Sequence, residues 1–192
     1  MNPLDRLEEL LRARVPRVVV DSTRREASVA VVLAPEPDAL LLIRRATHPR
    51  DPWSGQMGLP GGRREPADAD LLATAIRETY EEVGLDLGAA RLLGVLDDLA
   101  PSTPVLPPIT VRPHVFALPR KPSGLVLSAE VQYIRWAPLA ELQRPDVLRS
   151  HVFEHRGEQY ERPGYHLGED VVWGMTERIL TPLLALVRQG ES

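Results

Sequence analysis

Apolar residues recur along this chain at two spacings, and each predicts a different element. Leu4, Leu7, Leu10 and Leu11 fall at helical intervals. Asn2 and Pro3 supply an N-cap and a first helical residue, and Pro16 closes the run. A helix over about residues 3–14 is therefore expected. A short apolar run follows at residues 18–20. Residues 27–33 and 40–44 read as strands, joined by a hairpin-like turn containing Pro35, Pro37 and Asp38. Residues 46–70 are rich in Gly and Pro and predict a long loop, a length that in a compact domain is usually functional. Further strands are expected at 91–96, 109–118 and 131–136, the first two linked by a proline-rich loop, with a short helix at 138–142. An amphipathic helix is expected over about 171–187, interrupted by Pro182. Strands and helices mix without regular βαβ alternation, repeat or linker, so residues 1–192 read as a single α/β domain.

The helix expected at about 70–83 carries the chemistry. At roughly 100° per residue, Glu78, Glu81 and Glu82 fall within about a 100° arc. Leu72, Ile76, Tyr80 and Val83 group opposite, so an apolar face is expected to be buried and an acidic face to project. Arg77 stands four residues before Glu81 and is placed to pair with it, and Gly84 fits a left-handed C-cap. Like charges at this spacing destabilise an isolated helix by a few tenths of a kcal/mol per pair. A hard divalent cation, which takes oxygen ligands, reverses that cost. The turn Leu59-Pro60-Gly61-Gly62 lies just upstream, where glycines let the backbone approach an ion closely.

Composition narrows the class. Of 192 residues, 43% are apolar and 26% charged, ordinary values for a globular chain. A net charge of −4 argues against general nucleic-acid binding. Lys121 is the only lysine, so nearly all positive charge sits on arginine, whose planar fork suits phosphate. There is no cysteine, hence neither disulfides nor thiolate chemistry. No apolar run approaches the ~20 residues that span a bilayer, and the N-terminus, with Asp5, Glu8 and Glu9, lacks a signal pattern. A cytoplasmic protein without membrane or nucleic-acid partners is expected.

The run Gly62 … Arg77-Glu78-x-x-Glu81-Glu82-x-Gly84-Leu85 resembles the Nudix box of nucleoside-diphosphate-X hydrolases. It departs from the general box in an interval from Gly62 to Arg77 one residue longer, in Asp68 at the first Glu, and in Thr79 at an aliphatic position. The first two departures are shared with the coenzyme A pyrophosphatase branch. Leu41-Leu42-Ile43-Arg44-Arg45-Ala46, then Arg50, Gly55 and Leu59-Pro60-Gly61-Gly62, resembles the upstream signature of that branch, with four residues instead of three between Arg50 and Gly55, and Leu59 for Phe. Val172-Trp173-Gly174-Met175-Thr176 with Ile179-Leu180 is similar to its C-terminal helix start. The likeness implies a Nudix α/β/α sandwich with a mixed sheet. It implies Mg²⁺- or Mn²⁺-dependent hydrolysis of coenzyme A or its derivatives to 3′,5′-ADP and 4′-phosphopantetheine species. Glu78 and Glu82 are then the strongest metal ligands, with Glu81 and the Gly61 carbonyl beside them, and Glu81, Glu82 and Glu130 are the catalytic candidates.

Glu130 lies six residues before Trp136 and is a ligand or general-base candidate by the same likeness. Arg44, Arg45, Arg50 and Arg63 flank the Gly-rich loop and are candidates to bind substrate phosphates. Residues 101–108 are expected to shape the substrate mouth, and Asp97 and Asp98 to be exposed loop acids. No Gly-Lys-Ser/Thr follows the glycines, so the loop is not a P-loop. His151-Val152-Phe153-Glu154-His155 matches a His-x-x-Glu-His zinc pattern, which requires a helix to put both histidines on one face. The histidines are expected instead at the surface or on the substrate side. ADP-ribose or another nucleoside diphosphate derivative is the alternative substrate. A nucleotide-sensing domain without turnover is the alternative class.

Overall fold

In the computed structural model, residues 3–47, 55–101, 108–155 and 157–191 are described. Helix α1 spans Pro3–Ala13, and its Leu4, Leu7 and Leu11 are buried as the spacing predicts. Strand β1 (Arg25–Ala34) forms a hairpin with β2 (Ala39–Arg45), paired at Leu33↔Leu40 and Ala34↔Ala39. Beyond that short junction the two strands part. β2 then pairs with β3 (Met57–Gly58), β7 (Val131–Pro138) runs along its whole length on the other edge, and the freed edge of β1 takes β4 (Gly61–Arg63). On its other side β1 runs parallel to β6 (Ile109–Ala117), which pairs antiparallel with β5 (Arg91–Val95). The result is a seven-stranded mixed sheet with a split beside β1. The Gly-Gly turn lies in that split.

Helices cover both faces of the sheet. Alternation along β1 sends Ala30, Val32 and Ala34 towards α2 (Leu71–Val83), and Val31 and Leu33 towards a second core built with α1, α3 (Leu139–Leu142) and α4 (Gly174–Glu191). A separate three-stranded sheet, β8 (Leu148–His155), β9 (Glu158–Leu167) and β10 (Asp170–Trp173), packs Tyr165, Leu167 and Val172 into that second core. Among the described residues no helix is long and apolar enough to cross a membrane.

Several expectations are corrected. The loop at 46–70 contains β3 and β4, each too short to show a hydrophobic period. The expected 171–187 helix starts at Gly174, after β10, and passes through Pro182 unbroken to Glu191. Strands β8 and β9 carry no clear sequence signal: they are largely polar and include Pro163, which masks their alternation. The His-x-x-Glu-His motif lies on β8, so the helical face a zinc peptidase needs is absent. Asp98 is buried, 2% exposed, where it accepts two hydrogen bonds of 2.8 Å from Arg112 and one from the Val19 amide. Asp97 beside it accepts from Arg14. These acids hold the run at 15–20, whose Val15, Val18 and Val20 side chains stay exposed. Of the proline-rich loop, residues 102–107 lie outside the described residues, as does Arg50.

Candidate active site

The box helix begins with a strong signal. Asp70 is its N-cap, accepting from the Ala73 amide at 2.8 Å, and Gly84 ends it in the left-handed conformation with φ 68°. Which face is buried differs from the amphipathic reading. Leu71, Ala75, Thr79 and Glu82 turn inward, whereas Tyr80 is 61% exposed. Thr79, at the position that departs from the aliphatic pattern, is buried and satisfied by a 2.7 Å hydrogen bond to the Ala75 carbonyl. The helix thus spends part of its inward face on an acid. Glu82 is 5% exposed and is not part of a projecting acidic face.

Each acid is held by a different partner. Glu82 accepts a 2.9 Å hydrogen bond from the Gly61 amide, so the Gly-Gly turn caps this carboxylate directly. Burial nevertheless dominates and pushes the Glu82 carboxyl up to about 7, the charges of Glu78 and Glu130 adding to it and Arg45 opposing. Glu78 sits against Gly62: a Cβ there would lie 2.4 Å from its carboxyl carbon, so only glycine leaves room. Burial raises the Glu78 carboxyl too, against Arg77 and with help from Glu81 and Glu130. Glu81 is exposed and paired with Arg77 at 3.0 Å, as its spacing predicts.

Arg77 organises the whole turn. Its guanidinium clamps Asp68 through two 2.9 Å hydrogen bonds and reaches Glu78 at 3.0 Å and the Arg63 carbonyl at 3.0 Å. Asp68 also accepts from the Glu65 amide and the Thr74 hydroxyl, and the Arg77 fork holds its carboxyl well below the usual range. The residue replacing the expected Glu is therefore a structural anchor between the loop and the helix.

Glu130 is exposed on the turn before β7, with its carbonyl bonded to the Ala46 amide at 2.8 Å. The Ser128 amide donates to the Glu82 carbonyl at 2.9 Å, which ties this turn to the end of α2. The structure therefore brings Glu78, Glu81, Glu82, Glu130 and Gly61 together. Of the described arginines that flank the loop (Arg44, Arg45 and Arg63), it brings Arg45 to them. Arg44, one residue earlier on β2, faces the opposite side of the sheet, where its guanidinium meets Asp170 at 3.5 Å. Arg63 pairs with Ala27, and alternation turns its exposed side chain away from the Gly62 face that Glu78 occupies. Asp170 also accepts from the Tyr133 hydroxyl and from Arg135 at 3.2 Å, a cluster that no sequence motif announced.

Among the described residues, no three acidic or histidine side chains close into a cage. The donor set still fits a hard cation: it is all oxygen, it crowds like charges, and it holds one carboxyl at the edge of neutrality.

A family model described as the NUDIX domain matches residues 24–156. The uncharacterised Nudix hydrolase NudL of Photorhabdus laumondii is 31% identical over 173 residues, covering 90% of this chain and 90% of that protein. The NudL of Cronobacter sakazakii is 33% identical over 177 residues, covering 91% and 88%. An uncharacterised protein of Schizosaccharomyces pombe is 36% identical over 160 residues, but the match spans only 49% of its length. A MutT/nudix family protein from Enterococcus faecalis superimposes with TM-score 0.59 at 17% identity, covering 96% of this chain and 69% of that one, a likeness of fold. The acid-bearing helix, the Gly-Gly turn bonded to its Glu82 and the matched family model together place the chain in the Nudix hydrolase family.

Proposed function

We propose that the chain hydrolyses the pyrophosphate of coenzyme A or its derivatives, giving 3′,5′-ADP and 4′-phosphopantetheine species. The coarser reaction, hydrolysis of a nucleoside diphosphate derivative, is that of its family. The observation that carries the metal-dependent hydrolysis is the gathering of Glu78, Glu82 and Glu130 around the Gly61 turn with Arg45 beside them. Glu78, Glu82 and the Gly61 carbonyl would hold Mg²⁺ or Mn²⁺, with Glu81 at the outer edge. When bound, such an ion neutralises phosphate charge and activates water. Arg45 supplies a fixed positive charge for a phosphate oxygen. Glu130, exposed beside two acids, would take the proton of the attacking water. Arg77 stays with Asp68 and keeps the helix in register with the loop.

The substrate assignment rests on the likeness of residues 41–62 and on the longer interval before Arg77. Its test is a panel with Mg²⁺ comparing coenzyme A, dephospho-coenzyme A, ADP-ribose and NADH. Coenzyme A is expected to give the highest kcat/KM. A higher value for ADP-ribose would overturn the substrate, and binding of every member without turnover would overturn catalysis in favour of a sensor.

A further inference from the structure

The outward face of the three-stranded sheet plays no part in the reaction above. Because Tyr165, Leu167 and Val172 point into the core, register places His151 and Phe153 of β8, Tyr160 and His166 of β9 and Trp173 of β10 on the opposite side. Strands β8 and β10 both pair with β9, so they lie about 9–10 Å apart. Their rings nevertheless meet: Trp173 is 4.2 Å from Phe153 and 5.4 Å from His151, centroid to centroid. Gly164, between them on β9, allows this. A Cβ there would lie 3.2 Å from the His151 Cβ and 3.4 Å from the Trp173 Cβ. The row continues to Tyr160, 5.6 Å from Phe153, and to His166, 5.9 Å from His151.

All five rings are half-buried, and no helix among the described residues packs over them. Arg149, opposite Gly164, and Arg162, opposite His151, share the face by register. Leu148, Ser150, Glu161 and Pro163 belong by the same register to the other side of the sheet, where the Glu161 carboxylate is taken by the Ser150 hydroxyl. Glu158 is likewise engaged, by the Tyr160 hydroxyl at 2.8 Å. Three residues after Trp173 comes Thr176, whose hydroxyl would lie 3.7 Å from a Cβ on Gly58. Gly61 follows three residues later, at most about 10 Å of chain.

We propose that this face is a stacking platform for the purine base of an adenine nucleotide, with Arg149 and Arg162 receiving its phosphate. The proposal rests on the reading that the substrate is a nucleoside diphosphate derivative. Aromatic faces stack nucleobases, and arginine completes recognition of a phosphorylated ribose. Burial, with His166 nearby, lowers the His151 imidazole from its ordinary value.

The test is direct binding of 3′,5′-ADP and AMP by equilibrium dialysis, without turnover, to the wild type and to Phe153→Leu, Tyr160→Ser and Arg162→Gln. Dissociation constants are expected to rise about tenfold for Phe153→Leu and at least threefold for the other two. The KM for the hydrolysed substrate should follow while kcat stays within twofold. Photolabelling of the wild type with 2-azidoadenosine 3′,5′-bisphosphate, which needs no variant, should mark peptides within 148–173. Unchanged binding in folded variants, a label confined elsewhere, or a solution dimer that protects 148–173 from hydrogen exchange would overturn the platform. Binding here without pyrophosphate hydrolysis would support the platform and sink the catalytic reading. Normal coenzyme A hydrolysis with binding indifferent to Phe153 would do the reverse.

Discussion

Glu82 combines burial, a backbone hydrogen bond and neighbouring acids in one side chain. Glu82→Gln keeps its shape and its Gly61 contact but removes the charge, so kcat should fall by about 10²–10³-fold. The buried charge is also a cost to the fold, so the same variant should melt no lower than wild type at pH 8. Full activity in Glu82→Gln would sink its place in the site. His114 supplies a second test at this scale. It is buried on β6, with Nδ1 2.9 Å from the Ser28 hydroxyl, and burial followed by the Arg112 charge holds its imidazole at about 4 instead of 6.5. In the unfolded chain it protonates first. The stability it confers by staying neutral is therefore present above about pH 6.5 and is lost as pH falls towards 4. Glu78 and Glu82, whose carboxyls are raised, act in the opposite sense over part of that window. The comparison must therefore be a difference between wild type and His114→Asn. Urea unfolding at pH 7.5 and 5.0 should show a larger loss in the wild type, and equal losses would refute the assignment.

At the scale of elements, two adjacent glycines separate fold from chemistry. Gly61 has φ 150°, and a Cβ on it would come within 2.3 Å of the Ser28 carbonyl oxygen. Gly61→Ala should therefore destabilise the loop against β1 by several kcal/mol, visible as a lowered Tm. At Gly62 the added Cβ would meet the Glu78 carboxyl instead of backbone. Gly62→Ala should displace Glu78, lowering kcat at least tenfold while Tm shifts by only a few degrees. If both variants behaved alike, the division of labour between the two positions would be wrong. The bond between loop and helix is the Asp68–Arg77 fork, with Asp68 buried and Arg77 mostly so. Arg77→Lys keeps the charge but loses the bidentate geometry, and should cost about 1–3 kcal/mol in urea unfolding.

For the whole molecule, the three-stranded sheet is joined to the main sheet by α4 and by Asp170, which gathers Tyr133, Arg44 and Arg135. Asp170→Ala leaves two partly buried arginines without this carboxylate. Hydrogen exchange over residues 148–173 should accelerate while that of α2 stays as in wild type. Unchanged exchange would show that core packing alone holds the small sheet.

What the sequence determined by itself was whatever local spacing encodes. A capped helix with three acids, a Gly-Gly turn, a leucine-striped first helix and the main strands each rest on contacts within a few residues, and all were legible. Tertiary structure decided which of those groups meet. Helical spacing put Glu78, Glu81 and Glu82 on one arc, yet packing buried Glu82 and exposed Tyr80, because the helix lies on the split beside β1. Four arginines looked equivalent along the chain. Strand alternation sent Arg45 towards the acids and Arg44 towards Asp170, a choice set by the register of β2 against β7. Asp98 read as a loop acid because its partners, Arg112 and the Val19 amide, lie 14 and 79 residues away. The aromatic row on the small sheet was hidden for the same reason: its rings come from three strands and meet only across Gly164.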